Sequence, residues 1–463
     1  MPLTLYQRPG LRRLTQGNVA PVRGLYRASN GNGYCVIGQI VYSIDGAFNL
    51  TQIGMLNAVA TVPVSMIDNG VTLMLVDSTN AGYQITLATN AFSQIVDPTG
   101  AFTGATRIDI LDEFILFNTP GTVFFGSTHF NSLVFDALYV AGKVGYPDPL
   151  VSIFVNRRQI ILLGALKTEM WYNAGNATFP FAEVPGAYIE HGCVAPFSAA
   201  QQDIELYWLG QDLQGSGVVF RLRGYDVSRI SNHALEYAIE QMIAQGFIIS
   251  DAIGYTYQQQ GHAFYVLSFP SADQTWVYDA SYGDPEGAWH QRAWTDTNGV
   301  LHRDRTNCHA YLNGFNVVGD WQNGTLYALD QNVFQDQVNP AAPSPMSCIR
   351  GFPHWFQGVG RNGQLAMADG ELMTYWKFTV DLETGTAPVN ADGSDPMVYV
   401  AWSMDRGRTF GDPVPVEAGA LGEYLTQVQV GPIGTGRDVV FEITHSLNGP
   451  AALQGAWSQP NVP

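Results

Sequence analysis

Short strands rich in aromatic and β-branched residues recur along this chain, and their regular spacing constrains the fold more than any other feature. Their starts lie about 40 to 60 residues apart, close to the length of one four-stranded propeller blade. The pattern predicts a mostly β chain with β-propeller-like repeats of about six or seven blades. The segments are IVYSID (40–45), YQITLA (83–88), VFFGS (123–127), EMWYNA (169–174), VVFRLRGYD (218–226), WVYDA (276–280) and TLYALD (325–330).

One segment, SNHALEYAIEQMIAQG (231–246), departs from the strand rhythm and predicts a single inserted amphipathic helix. Ser231 or Asn232 is a suitable N-cap, and Gly246 is a suitable stop signal. The helix either fills an edge of the hydrophobic core or packs between the subunits of a ring. Its apolar face comprises Ala234, Leu235, Ala238, Ile239, Met242 and Ile243.

The C-terminal part of the chain differs in composition from the repeats. Residues 331–366 are rich in Pro, Asn and Gln, which is typical of a loop. Strand-like segments resume beyond it, so we predict a propeller body over residues 1–366, including the helix, and a C-terminal β unit over residues 367–463. The C-terminal unit either closes the propeller or flanks it.

The chain is acidic, with a formal net charge of −18 and only 13% charged residues. A free-standing nucleic-acid-binding protein is usually basic, so the composition argues against this class. An acidic surface repels phosphate, which suits a conduit through which DNA slides without adhering. The alternative is that the acidity only keeps the surface soluble.

Basic residues are almost all arginines, and several lie near the N-terminus, ahead of the first acidic residue, Asp45. Such a segment could dock an acidic neighbouring subunit through bidentate ion pairs. The alternative is a loosely ordered terminus. The candidate docking residues are Arg8, Arg12, Arg13, Arg23 and Arg27.

The four cysteines are far apart and show no metal-binding spacing, so we expect buried free thiols and neither a metal nor a cofactor. Reduced thiols and the lack of an export signal indicate folding in a reducing cytoplasm. The most apolar window, residues 150–166, contains polar residues near its middle, so it predicts two strands around a turn and no membrane-spanning segment. The cysteines are Cys35, Cys193, Cys308 and Cys348.

Residues 403–410, SMDRGRTF, fit the Asp-box pattern Ser-x-Asp-x-Gly-x-Thr-Phe, a turn motif of sialidase propellers. The aspartate is expected to accept backbone N–H bonds that fix a hairpin, and the aromatic ring is expected to pack beneath the turn. We interpret the motif as structural. Its residues are Ser403, Asp405, Gly407, Thr409 and Phe410.

A glycan-binding or sialidase-like propeller is the alternative function that this motif raises. A sialidase needs three arginines that clamp a carboxylate, a Tyr nucleophile assisted by a Glu, and an Asp acid. Sialidase propellers repeat the Asp box several times, whereas this chain has one good match. No GxSxG, HExxH or Walker A motif is present, so we predict that the protein is not an enzyme.

Several longer stretches carry a resemblance to a known family. They are RPGL (8–11), residues 22–45, residues 168–198, residues 207–239 and residues 397–446. Together they resemble the packaged-DNA stabilisation protein, or tail hub (nozzle) protein, of short-tailed bacteriophages. Between the last two stretches the likeness is limited to the strand rhythm.

The resemblance implies a virion structural protein without catalytic residues. Six copies would form a homo-hexameric ring below the portal and the head-to-tail adaptor, and genomic DNA would pass through it without sequence-specific binding. The ring would retain the packaged genome, anchor tail fibres, spikes or a needle, and lie in the virion tail after assembly in the host cytoplasm.

The resemblance also marks residues that we interpret as fold residues. Arg229, just before the predicted helix, would pair either across a subunit boundary or within the chain. The family-like residues are Trp171, Tyr172, Gly175, Trp208, Gly210, Gly215, Gly217, Gly224 and Arg229.

Overall fold

Strands dominate the structure, a computed structural model that describes residues 5–130, 133–211, 215–283, 285–355, 372–390 and 393–461. In these ranges the chain forms forty strands and two helices. It divides into two compact units, one of Leu14–Ala328 and the other joining Met1–Arg13 to Leu329–Pro463 as far as those ranges are described. The predicted boundary between residues 366 and 367 lies outside the described residues.

Antiparallel sheets follow one another along the first unit, and within each sheet almost every strand pairs with the next strand of the chain. Strand β1 (Gly10–Gln16) precedes them. Blade one contains β2 (Val22–Arg27), β3 (Gly33–Ile37), β4 (Ile40–Ile44) and β5 (Leu50–Met55). Blade two contains β6 (Ser65–Asp68), β7 (Thr72–Val76), β8 (Gly82–Thr86) and β9 (Ala91–Gln94). Blade three contains β10 (Ile108–Leu111), β11 (Phe114–Asn118), β12 (Phe124–Thr128) and β13 (Phe135–Gly142).

The remaining blades keep this order, except that the first strand of blade five is in two parts and blade six has a fifth strand at its edge. Blade four contains β14 (Leu150–Asn156), β15 (Gln159–Gly164), β16 (Thr168–Asn173) and β17 (Phe181–Ile189). Blade five contains β18 (Gly192–Cys193), β19 (Ala200–Gln202), β20 (Glu205–Gln211), β21 (Ser216–Arg223) and β22 (Asp226–Arg229). Blade six contains β23 (Ile253–Gln259), β24 (His262–Phe269), β25 (Gln274–Asp279), β26 (Trp289–Thr295) and β27 (Leu301–Arg303). Blade seven contains β28 (Thr306–Leu312), β29 (Phe315–Asp320) and β30 (Thr325–Asp330), with β1 as its fourth strand.

The blades form a closed circle. First strands of most neighbouring blades lie side by side, as β2 does against β6, and blades four and five meet through β15 and β18. Strand β28 of blade seven returns to lie against β2 of blade one. This closure removes the exposed sheet edges that would remain in an open array. The predicted β-propeller is therefore confirmed, and the number of blades is seven.

The seven segments that recur in the sequence occupy one structural position. Each corresponds, within about two residues, to the third strand of its blade. The repeat in the sequence is thus a repeat of whole blades. The third strands are β4, β8, β12, β16, β21, β25 and β30.

The apolar window at 150–166 forms β14 and β15, as predicted. Arg157 and Arg158 join them with φ values of +48° and +63°. Two consecutive left-handed residues are the requirement of a type I′ turn, whose twist matches that of the flanking strands. Among the described residues, neither helix has the length and apolar character needed to cross a bilayer.

The predicted helix is present as α1 (His233–Ala244), between blades five and six. Asn232 is its N-cap, and its side chain accepts a hydrogen bond from the Leu235 N–H at 2.9 Å. Leu235, Ile239 and Met242 are buried in one core cluster with residues of both blades. Three residues of the predicted apolar stripe therefore fill the core of their own chain, whereas Ala234 and Ile243 of the same stripe are exposed. The other helix is the short α2 (Pro285–Ala288).

The second unit is a β-sandwich with several small strands. Three of them, β31 (Gln335–Asp336), β32 (Ser344–Pro345) and β33 (Cys348–Gly351), lie in the segment predicted as a loop. The others are β34 (Met373–Leu382), β35 (Met397–Ser403), β36 (Val414–Glu417), β37 (Val428–Val430), β38 (Gly434–Gly436), β39 (Val440–His445) and β40 (Leu453–Asn461). One sheet has the order β33-β39-β35-β36, and in the other β34 pairs with β37, β38 and β40.

Aromatic rings join the two sheets of the sandwich. Phe378 on β34 and Phe441 on β39 stack with their centroids 3.8 Å apart. Trp355 packs edge-on against both rings, at 5.7 Å from each. Buried aromatic groups of this size contribute strongly to a core, so this cluster holds the sandwich together.

Candidate functional surfaces

A Tyr–Glu pair beside two arginines lies in blade five, and these are residue types that a sialidase-like site requires. Glu205 and Tyr207 are two residues apart on β20, so they point to the same face. Arg223 and Arg221 lie directly opposite them on β21. The Tyr207 hydroxyl donates to Glu205, and the arginine nitrogens lie 3.7–3.8 Å from the same carboxylate.

A small groove of about 350 Å³ opens beside this pair. The turn at Asp203 and the blade-six residues Ala263 and Ser281 form its walls. Gln258 of blade six donates to the Asp203 carboxylate at 2.9 Å. The groove therefore lies between neighbouring blades.

The chemistry of this pair does not suit glycan cleavage. Tyr207 is only 1% exposed, and burial raises its pKa well above the ordinary value, with Glu205 adding to the rise. A phenol in this environment stays protonated and is a poor nucleophile. Two arginines are present where a carboxylate clamp needs three, and both already face Glu205. The pair is better explained as a cross-strand contact within a blade.

The Asp-box turn has the hydrogen bonds that turn chemistry requires. Asp405 accepts from the N–H groups of Arg408 and Thr409 at 3.0 and 2.8 Å, and from the Thr409 hydroxyl at 2.6 Å. The Ser403 hydroxyl donates to Asp405 and accepts from the Gly407 N–H at 2.8 Å. These bonds, first those from Ser403 and Thr409, hold the pKa of Asp405 well below its usual range.

Phe410, the last residue of the motif, is partly exposed, at 38% of its area. After the turn the chain returns beside β35, where the Gly411 N–H donates to the Trp402 carbonyl at 3.0 Å. The packing of the Phe410 ring beneath the turn stays a prediction.

Most of the N-terminal arginines have partners in their own chain. Arg8 forms a two-pronged contact with Asp336, and Arg12 donates to Asp330 at 2.8 Å. Arg13 donates to the Val338 carbonyl at 3.0 Å. The segment is therefore held against the C-terminal unit that it belongs to, which argues against a loose terminus, and docking of a neighbouring subunit by these side chains stays a prediction.

The other two arginines of this group differ from each other. Arg23 is buried in blade one, donates to the carbonyls of Val62 and Gly38, and has a lowered pKa because burial disfavours its charge. Arg27, at the end of β2, is exposed. Of the five candidates, Arg27 is the one whose exposure remains compatible with docking.

Arg229 pairs within the chain. Its guanidinium contacts the carboxylate of Glu236 in the first turn of α1, with one nitrogen–oxygen distance of 2.7 Å. The Ser231 hydroxyl donates to the same carboxylate at 2.6 Å. This arrangement fixes the start of the helix on blade five, so the intrachain alternative holds.

The family-like residues fall into different environments. Trp171 and Trp208 are buried, and the Trp208 indole donates to the Gly192 carbonyl at 2.9 Å. Gly210 has no room for a side chain, because a Cβ atom would lie 2.3 Å from the Phe220 ring. Three others have positive φ values that favour glycine, namely Gly175, Gly217 and Gly224.

Two family-like residues are not held by the core. Tyr172 is 41% exposed at the end of β16. Gly215 is exposed, and a Cβ atom there would meet no atom within 4 Å. Packing inside the chain therefore does not explain these two residues.

All four cysteines are free thiols. Cys35 and Cys193 are buried, and Cys308 and Cys348 are partly buried. Burial raises the pKa of Cys193 to about 11 and that of Cys308 to about 12, so both stay protonated and unreactive. Across the described ranges, no group of three or more His, Cys, Asp or Glu side chains is arranged to hold a metal ion.

A seven-bladed propeller followed in sequence by a β-sandwich defines the class of protein. Family models for the bacteriophage P22 Gp10 β-propeller and β-sandwich match residues 3–334 and 361–458, respectively. The chain therefore belongs to the bacteriophage P22 Gp10 family, which confirms the resemblance to packaged-DNA stabilisation proteins. The matches also cover blade six and blade seven, where the sequence alone offered only the strand rhythm. As a member of this family, the protein is a structural component of a phage particle.

Two solved structures illustrate a distant similarity to other propellers. No curated protein matches the chain. A streptogramin B lyase structure is 9% identical, with a TM-score of 0.45, and the alignment covers 71% of this chain and 98% of that one. The WD40 β-propeller domain of Doa1 is 10% identical, with a TM-score of 0.42 and the same coverage of 71% and 98%. Neither likeness bears on function.

Proposed function

We propose that this protein forms a homo-hexameric ring at the tail hub, or nozzle, of a short-tailed phage. There it extends the DNA channel below the portal and the head-to-tail adaptor. The observation that supports this most is the family match, which extends over both units of the chain. The ring retains the packaged genome and anchors tail fibres, spikes or a needle.

The charge of the chain supports the role of a conduit. The propeller unit, Leu14–Ala328, contains 26 Asp and Glu residues against 13 Lys and Arg residues. Phosphate groups are repelled by such a surface, so DNA can move past it without being held by specific contacts. The same net charge disfavours aggregation of the subunits before assembly, because proteins with a net charge near zero tend to associate.

The interior of the chain supports assembly in the reducing host cytoplasm, ahead of residence in the virion tail. Its thiols are free and protonated, so the fold does not depend on oxidation. A propeller closed by its own chain is a rigid building block, because every blade is held by both neighbours. Rigid subunits suit a ring that must resist the pressure of packaged DNA.

The number of copies in the particle tests this proposal. We would measure the chain in purified virions by quantitative mass spectrometry, normalised to the portal protein. A ratio near one half is expected, because a six-fold ring would lie under a twelve-fold portal. Absence of the chain from the particle would refute the proposal, and a ratio near one would replace the hexamer with a twelve-fold ring.

A further inference from the structure

Two tryptophans are exposed on one sheet of the sandwich, the sheet that contains β34 and β40. Trp376 keeps 54% of its area exposed, and Trp457 keeps 49%. Tryptophan has a large apolar ring system and is highly buried on average, so two exposed tryptophans on the same sheet are informative. The indole area that the fold leaves uncovered is available to a ligand.

Both tryptophans lie on the outer face of this sheet. Trp457 is directly opposite Thr379, whose neighbour Phe378 points into the core. Because side chains alternate along a strand, Thr379 and Trp457 point away from the core. Trp376 follows another core residue, Tyr375, at a point where the register of β34 and β40 shifts. Such a bulge redirects side chains, and Trp376 is exposed on the same outer face.

The two indoles are carried by strands that are firmly paired. Strand β34 pairs with β40 along one edge and with β37 and β38 along the other. Trp376 and Thr379 are three residues apart, or about 10 Å along the strand, and the backbone of Trp457 lies about 5 Å to the side of Thr379. The indoles are therefore pre-organised at a set separation, and little backbone entropy is lost when a ligand binds.

Uncharged polar side chains lie beside the two indoles. Gln429 on β37 is opposite Thr379, and Thr435 on β38 is opposite Thr374. Gln429 and Thr435 are exposed, and the hydroxyls of Thr374 and Thr435 are hydrogen-bonded to each other at 2.9 Å. Hydroxyl and amide groups both donate and accept hydrogen bonds, so they can pair with the hydroxyl groups of a ligand. We define the platform face as Thr374, Trp376, Gln429, Thr435 and Trp457.

We propose that the platform face binds a polysaccharide chain. A pyranose ring has a face of C–H groups, which packs on the electron-rich face of an indole. Its hydroxyl groups lie around the edge of the ring, where threonine and glutamine side chains can reach them. The separation of the two indoles allows one chain to place a sugar ring on each. This is a binding site without a chemical step, and it goes beyond the proposed function because it does not depend on the ring of subunits.

A protein partner fits the platform face less well. A fully buried aromatic residue covers about 150–250 Å², so the exposed halves of two indoles offer roughly 200 Å². Leu372, just before β34, adds one exposed aliphatic side chain. A stable protein interface needs about 800 Å² from each partner, with an apolar centre. The apolar area of this face is well below that value, whereas it suits a ligand a few sugar rings long.

Nucleic acid is the other ligand that stacks on aromatic side chains. Its single-stranded binding sites combine such rings with a positively charged groove. The platform face contains no charged residue, and β34 adds one lysine and one aspartate beside it, Lys377 and Asp381, whose charges cancel. Phosphate groups therefore gain little from this face. The observations favour an uncharged polysaccharide.

The first test is binding of the purified full-length chain to an array of bacterial surface polysaccharides and neutral hexose oligomers. Wild type should bind at least one hexopyranose polymer. W376A/W457A should bind it at least about tenfold more weakly, because aromatic anchors dominate such contacts. The matched control is Y399A, which removes a 44% exposed aromatic ring from β35 in the other sheet. The control should bind like wild type.

A second measurement separates binding from folding. W376F/W457F keeps an aromatic ring at each position, so it should stay within about fivefold of wild-type affinity. Thermal unfolding of each variant checks that the chain is folded. The tryptophan emission of wild type should also shift to shorter wavelength when the bound polysaccharide is added, because the indoles lose contact with water. This last measurement needs no substitution.

Four outcomes would overturn the assignment. Wild type that binds no glycan of the array would refute the site. Equal binding by wild type and W376A/W457A would place the sugar on another surface. Absence of W376A/W457A from phage particles, with its glycan binding intact, would make the platform face a protein interface. Tighter binding of a single-stranded oligonucleotide than of any glycan, lost in the same variant, would assign the face to nucleic acid.

Discussion

The propeller unit and the sandwich unit are both built of antiparallel sheets, but their strands are connected by different rules. In the propeller, nearly every strand pairs with the next strand along the chain. In the sandwich, β34 pairs with β37, β38 and β40, which follow it by several strands. Local pairing produces a repeat that can be recognised in a sequence, whereas non-local pairing leaves no periodic signal.

The two units also differ in how their cores are divided. The propeller core consists of several clusters that lie between successive blades, such as the cluster that α1 joins. In the described part of the sandwich, one cluster is centred on Phe378 and Phe441 and contains residues of both sheets. A single cluster concentrates the stability of its unit in few side chains, and we therefore expect the sandwich to be the more sensitive unit.

The largest expected effect comes from Phe378→Ala. The ring is fully buried and stacked on Phe441, so the substitution should cost the sandwich about 3–5 kcal/mol of unfolding free energy. Hydrogen exchange resolved by mass spectrometry would follow strands β35 and β39 alongside blade two. Faster exchange in the sandwich strands, with blade two unchanged, is the expected result.

The control for this prediction is Phe117→Ala, at an equally buried ring on β11 of the propeller. It should accelerate exchange in blade three and leave the sandwich strands unchanged. If either substitution accelerated hydrogen exchange in both units to the same extent, the two units would unfold cooperatively. The expected difference in their sensitivity would then be wrong.

The second prediction concerns glycines that the family resemblance groups together. Gly210→Ala should destabilise the propeller by about 1–3 kcal/mol, because the new Cβ would lie 2.3 Å from the Phe220 ring. Gly215→Ala meets no atom within 4 Å, so its effect should stay within about 0.5 kcal/mol. Urea unfolding of both variants measures the difference. Equal losses of unfolding free energy in the two variants would show that both glycines stabilise the propeller.

The propeller can be predicted from the sequence because each blade is formed by strands that follow one another along the chain. The third strand of each blade, for example β16 with its buried Trp171, combines aromatic and β-branched residues before a polar turn. The helix was also predictable, because its N-cap Asn232 and its apolar stripe are encoded within sixteen consecutive residues. The strands β31 to β33 were not predictable, since they are only two to four residues long and lie in a Pro-rich segment.

Side-chain contacts over long sequence distances were the part that the sequence could not give. Arg8, for example, contacts Asp336 across 328 residues of the same chain. The exposure of Phe410 is a second case, because it depends on the path of the chain beside Trp402.

The third prediction contrasts the pH response of the two units. Burial raises the pKa of Asp109, on β10 of the propeller, to about 6, although it accepts a hydrogen bond from the Val155 N–H. A raised carboxyl pKa means that ionisation of Asp109 opposes folding. The protonated carboxyl therefore stabilises the fold below about pH 4, and this stabilisation is lost as pH rises through 6. Asp109→Asn should therefore be more stable than wild type by roughly 1–2 kcal/mol above pH 6, and not below pH 4.

The matched variant in the sandwich is His445→Gln. Burial lowers the pKa of His445 to about 4. The neutral imidazole therefore stabilises the fold above pH 6.5, and this stabilisation is lost as pH falls through 4. The stability of His445→Gln relative to wild type should rise as the pH falls, opposite to the trend for Asp109→Asn. Urea unfolding from pH 4 to 7.5 measures both curves, and parallel curves would contradict the assignment of these two groups.

Apart from the Gly215→Ala control, the smallest expected effect is that of Asp405→Ala, because the Asp-box turn lies at the surface. The substitution removes the acceptor for the N–H groups of Arg408 and Thr409, whose amide exchange should accelerate at least about tenfold. Global stability should change by less than about 1 kcal/mol, since no core residue is touched. Asp412→Ala, at an exposed acid outside the motif, is the control and should leave both amides protected. Unchanged exchange in Asp405→Ala would mean that the backbone holds this turn without its aspartate.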